Sequence, residues 1–123
     1  MRYLTDRKRA EGKGSAHAGT EHYWYMQASA VGLAVLVPIF VIAFGRVLGR
    51  SYDEVWEFFS RPHVAILTGL TLFVGMRHFA KGATMMIEDY AHGTMRKALI
   101  IFVLSLSYAV TATGLFALAR IAL

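Results

Sequence analysis

The sequence predicts an all-α membrane protein with three transmembrane helices, N-terminus cytoplasmic and C-terminus periplasmic. Three observations predict it: apolar runs at about 23–45, 62–90 and 97–120, basic residues gathered around them, and a composition that is 56% hydrophobic over 123 residues with positive mean hydropathy. About 20 apolar residues span the hydrocarbon core as a helix, and in lipid a helix satisfies its own backbone. So much apolar surface excludes an ordinary soluble domain. The absence of cysteine excludes disulfides, thiolate metal sites and iron–sulfur ligation from within the chain. The formal charge of +5 does not indicate nucleic acid, because the basic residues flank the apolar runs, where they set topology and meet anionic lipid.

Residues 1–21 read as a polar basic tail, with Arg2, Arg7, Lys8, Arg9 and Lys13 against Asp6, Glu11 and Glu21. Such a segment is expected to be ordered only by partners. It has neither the short apolar region of a secretory signal nor the acid-poor composition of a transit peptide, so a bacterial inner membrane is expected.

Residues 22–123 form the membrane domain. Its first span opens on Tyr23, Trp24 and Tyr25, whose amphipathic rings favour the interface, and contains Pro38, a possible kink. Gln27 and Ser29 are candidate hydrogen-bonders between helices. Between Arg46 and Arg61 a mixed-charge loop holds the aromatic stretch Tyr52-Asp53-Glu54-Val55-Trp56-Glu57-Phe58-Phe59, a short interfacial helix by composition. Pro62 suits the N-terminus of the second span, whose later half admits Arg77 and Lys81 and so is either buried against protein or snorkels outward. The third span follows the turn Ala91-His92-Gly93-Thr94, and its small residues Ser105, Ser107, Ala109, Ala112, Thr113 and Gly114 suit close packing. Tyr108 stands among them as a group in need of a polar partner. The basic tail, with Arg96 and Lys97 in the second short loop, places both on the cytoplasmic side.

On a helix, Gly75, His78, Gly82, Met85 and Asp89 share one face. At a rise of about 1.5 Å per residue, His78 lies roughly 16 Å along the axis from Asp89 and so within the bilayer. An ionisable residue at that depth marks function by default, and neutral imidazole is a good iron ligand. A transmembrane histidine also serves simply to hydrogen-bond a neighbouring helix, and the residues alone leave both readings open. The flanking glycines are expected to let a flat porphyrin approach. His63 at the far mouth of the span, His17 and His22 near the tail and His92 in the turn read as solvated or partner-bonded.

The pattern His78, ten residues, Asp89-Tyr90, then a short basic turn and a last apolar helix, resembles the D-type hydrophobic membrane-anchor subunit of succinate dehydrogenase, respiratory complex II. The resemblance covers nearly the whole chain, including Gly14-Ser15-Ala16 through Gly19-Thr20-Glu21-His22-Tyr23-Trp24, and Tyr52 to Trp56 with Phe58-Phe59. It implies that His78 is an axial ligand of the iron of a haem b shared with a second, cytochrome b-type membrane subunit. It also implies that Asp89 and Tyr90 border a ubiquinone site, and that the soluble partners are an iron–sulfur subunit and a flavoprotein subunit. The expected function is to anchor succinate:ubiquinone oxidoreductase in the lipid bilayer. A stand-alone b-type cytochrome and a haem-free structural anchor are the alternatives. The sequence departs from the family at Gln27, where an arginine near a haem propionate commonly stands; glutamine can hydrogen-bond a propionate but cannot neutralise it.

Overall fold

The computed structural model describes residues 5–13 and 20–123. Within them run five helices: α1 (Asp6–Glu11), α2 (Thr20–Gly45), α3 (Tyr52–Ser60), α4 (Pro62–Tyr90) and α5 (Gly93–Ala122). Helices α2, α4 and α5 are long and apolar enough to cross a membrane. Their 26, 29 and 30 residues correspond to about 39–45 Å at the usual helical rise.

Part of the tail has structure of its own. The hydroxyl of Thr5 accepts from the backbone N–H of Lys8 at 3.3 Å to cap α1, which ends at Gly12 in the left-handed region, φ 62°. His17 and the Gly14–Gly19 portion of the family-like segment lie outside the described residues.

The connections are short, and each is settled by local chemistry. Gly49, at φ 76°, turns the chain out of α2. Ser51 and Glu54 form a reciprocal capping box at α3: the Ser51 hydroxyl accepts from the Glu54 N–H at 3.4 Å, and the Glu54 carboxylate accepts from the Ser51 N–H at 3.0 Å. That backbone bond, then the Ser51 hydroxyl, holds the Glu54 carboxyl below its ordinary value. The expected short aromatic helix is therefore present. Arg61 ends α3 and precedes α4, which starts on Pro62, where a missing N–H costs nothing. Ala91 and His92 link α4 to α5.

Helix α4 is central, with α5 and α2 packed along it and α3 touching α4 and α5 at one end. Small residues set the approach of α5. A Cβ on Gly69 would stand 3.4 Å from Leu115 and 3.6 Å from Leu118, and a Cβ on Gly114 would overlap the end of the Leu72 side chain. Of the small residues expected to pack, Ser107 is buried and Gly114 is in contact, whereas Ser105, Ala109, Ala112 and Thr113 face outward. The core is thin: among the described residues no large side chain is fully buried, while Val35, Ile42, Phe102 and Phe116 lie on outer faces. In water such a surface would aggregate; against lipid tails and neighbouring subunits it is matched.

Candidate functional site

The α2–α4 contact is a ladder of four rungs. Along it α2 advances through His22, Met26, Ser29 and Leu33 while α4 retreats through Met85, Gly82, His78 and Gly75. Steps of three and four keep each series on one helix face. At the first rung His22 Nε2 lies 3.0 Å from Met85 Sδ; the thioether has no proton, so the imidazole is the donor. At the second and fourth rungs a Cβ on Gly82 would stand 3.8 Å from Met26, and one on Gly75 3.9 Å from Leu33. At the third, His78 Nδ1 is 2.8 Å from the Ser29 hydroxyl, which also lies 2.8 Å from the Tyr25 carbonyl and 3.1 Å from that of Met26. Ser29 is 8% exposed.

Two expectations change here. The glycines flanking His78 do not form gaps for a flat ring, because α2 fills both. His22 is not a solvated tail residue, since α2 begins two residues before it and turns it onto α4.

One residue before His78 the helix turns a different face outward. Arg77 Nε donates to the Tyr25 hydroxyl at 3.2 Å, with its guanidinium 5.7 Å from the Tyr25 ring centroid and 6.0 Å from that of Phe73. Arg77, Lys81, Thr84 and Glu88 line a cavity of about 300 Å³ with His22 of α2 and Ser107, Tyr108 and Thr111 of α5. Among the described residues neither Arg77 nor Lys81 has a carboxylate within ion-pair distance. This groove, apolar over most of its lining with polar groups at these positions, is not evident in the sequence, although residues 77, 81, 84 and 88 carry its signal at i, i+4, i+7 and i+11.

The remaining candidates stand apart. Asp89 and Tyr90 close α4, both exposed, Tyr90 at 83%. No ion pair joins Asp89 to the nearby Arg96 or Lys97 among the described residues. Gln27 points away from α4: its amide donates to the Tyr23 hydroxyl at 2.9 Å, within α2, so of Gln27 and Ser29 it is Ser29 that bonds to another helix. Tyr108, 67% exposed, has no hydrogen bond among the described residues and opens onto the groove. His63 and His92 are exposed.

Three helices long and apolar enough to cross a membrane, an outward apolar surface, a thin core and an imidazole held near the middle of α4 define the class: a multi-pass membrane subunit. The chain matches the succinate dehydrogenase/fumarate reductase transmembrane subunit family over residues 1–117, and it belongs to that family. It is 50% identical to the succinate dehydrogenase hydrophobic membrane anchor subunit of Paracoccus denitrificans, over all 123 residues of this chain and 95% of that relative. No solved structure matches it significantly.

Proposed function

We propose that this chain is the membrane anchor of a succinate:ubiquinone oxidoreductase, holding haem b with a second, cytochrome b-type membrane subunit and docking the iron–sulfur and flavoprotein subunits. A bacterial inner membrane fits the relative's source, with Asp89 and Tyr90 at the cytoplasmic end of α4. One observation carries the haem reading. His78 has one ring nitrogen engaged by Ser29 and no second partner among the described residues, which leaves Nε2 for a ligand. Among the described residues no cluster of three or more metal-ligating side chains occurs. A single imidazole suits one axial position of a haem, with the other supplied by a partner.

When bound, haem b supplies a one-electron carrier within the membrane. Gln27 gives one amide hydrogen to Tyr23 and keeps a second with which to bond a propionate, the weak role expected of it. Quinone reduction takes up two electrons and two protons, so its carbonyl oxygens require donors that strengthen as negative charge develops. The exposed Tyr90 phenol is such a donor. Asp89, with no ion pair among the described residues, can orient a partner's cation or a water for proton delivery.

The test is the reduced-minus-oxidised spectrum of the assembled complex carrying His78→Ala. Loss or a shift of the b-type absorption is expected, and an unchanged spectrum refutes the assignment.

A further inference from the structure

The Ser29 hydroxyl has one proton and three neighbours at hydrogen-bond distance: the carbonyls of Tyr25 and Met26, at 2.8 and 3.1 Å, and His78 Nδ1, at 2.8 Å. The carbonyls can only accept. Were the proton given to Nδ1, the hydroxyl oxygen would face two carbonyl oxygens with nothing between them. Given instead to the Tyr25 carbonyl, in the i−4 bond that helical serines commonly make, it leaves lone pairs on the oxygen to accept from Nδ1–H. His78 then carries its proton on Nδ1 and its lone pair on Nε2. The rungs on either side, at Gly75 and Gly82, pack on Leu33 and Met26 and keep α2 beside His78.

We infer that Ser29 is a positioning residue for the haem ligand: through Nδ1 it fixes the tautomer and ring plane of His78 and makes Nε2 a stronger donor to iron. The inference rests on the reading of His78 as an axial ligand and deepens it. Metal-bound histidines characteristically donate their other N–H to an acceptor that orients the ring and raises its basicity. Here the acceptor is a hydroxyl from another helix, polarised by a backbone carbonyl.

The experiment uses the assembled complex and reads the haem midpoint potential and the low-spin ferric electron paramagnetic resonance signal. Without an acceptor at Nδ1 the imidazole donates less, and the ferric form, which depends more on that donation, weakens more. Losing such an outer partner typically costs about 10–100-fold in metal affinity. A tenfold loss borne by the ferric form is an upward shift of about 59 mV for one electron. Ser29→Ala is expected to raise the potential and alter the ferric signal, and Ser29→Thr to restore both. If Ser29→Ala matches the parent while His78→Ala abolishes the signal, Ser29 has no positioning role and the ligand reading stands. Equal shifts in the Ala and Thr variants would also overturn the inference, because packing rather than the hydroxyl would be the cause. If His78→Ala keeps the parent's signal, the ligand reading itself falls. Should Ser29→Ala fail to assemble, Ser29→Cys, close in volume and weaker as an acceptor, is expected to shift the potential the same way by less. An unchanged potential there overturns the inference.

Discussion

Two faces of α4, set one residue or about 100° apart, use the same spacing to opposite ends. The face with Gly75, His78, Gly82 and Met85 closes on α2 around His78, with Met85 at its end still 45% exposed. The face with Arg77, Lys81, Thr84 and Glu88 stays open and lines a groove. Side-chain length goes with the difference. Gly75 and Gly82 leave α2 in contact on either side of the serine and the imidazole, whereas the long charged side chains of the other face carry their heads to the rim. Closure gives positional accuracy to one nitrogen. Openness leaves polar groups for whatever covers the groove.

The largest expected effect sets the two faces against each other. His78→Ala should abolish or shift the haem absorption of the complex, while Lys81→Gln, three residues on, should leave it in place; equal loss in both would erase the distinction. Next comes the exposed end of α4, beyond both faces. Tyr90→Phe keeps the ring and removes its hydroxyl, and a preorganised bond to a developing oxyanion is worth about 2.7–4 kcal/mol, less if partner donors share it. The ratio of quinone-dependent to dye-dependent succinate oxidation should fall, and a ratio equal to the parent's would make Tyr90 a packing residue.

A smaller effect follows from the filled rung at Gly82. Leucine there would overpack the Met26 contact and cost about 1–3 kcal/mol, read as a lower unfolding midpoint of the complex in detergent. Alanine should be tolerated, since its Cβ meets Met26 at ordinary contact distance. Were the gap kept for a porphyrin instead, alanine would perturb the haem spectrum.

The smallest effect lies outside the membrane, at the capping box of α3. Because the Glu54 carboxyl is held below its ordinary value, its contribution is complete above that value and is lost as pH falls through the lowered one. Amide exchange at the start of α3 should therefore accelerate on acidification, and Glu54→Gln should remove the pH dependence.

Much of this fold is written plainly in the chain. The three spans follow from apolar length, the start of α4 from Pro62, and the short helix α3 from its aromatic composition, because each is a local property. What one helix face meets is not local. The periodicity of α4 puts His78 and its glycines on one face but cannot name α2 as the element packed there, so the sequence alone leaves the glycines open. Similarly, Gln27 and Ser29 are alike in chemistry, but two residues apart they lie about 200° around α2, so the packing that turns Ser29 onto His78 leaves Gln27 to bond within its own helix. Asp89 and Tyr90 come from a motif rather than from packing, and within a single chain they touch little.

The two-residue link between α4 and α5 bears on how the protein enters the bilayer. Helix α4 is the least apolar of the three spans, and Arg77 and Lys81 each oppose its transfer, by up to about 2.5–3.5 kcal/mol at a helix centre. Helix α5 is uncharged from Ala98 to Ala119. With only Ala91 and His92 between them and Gly93 at φ 61° allowing the reversal, the two are delivered to the insertion machinery as one hairpin. The strongly apolar arm then carries the weaker one across, and a chain truncated after Tyr90 would leave α4 to partition alone.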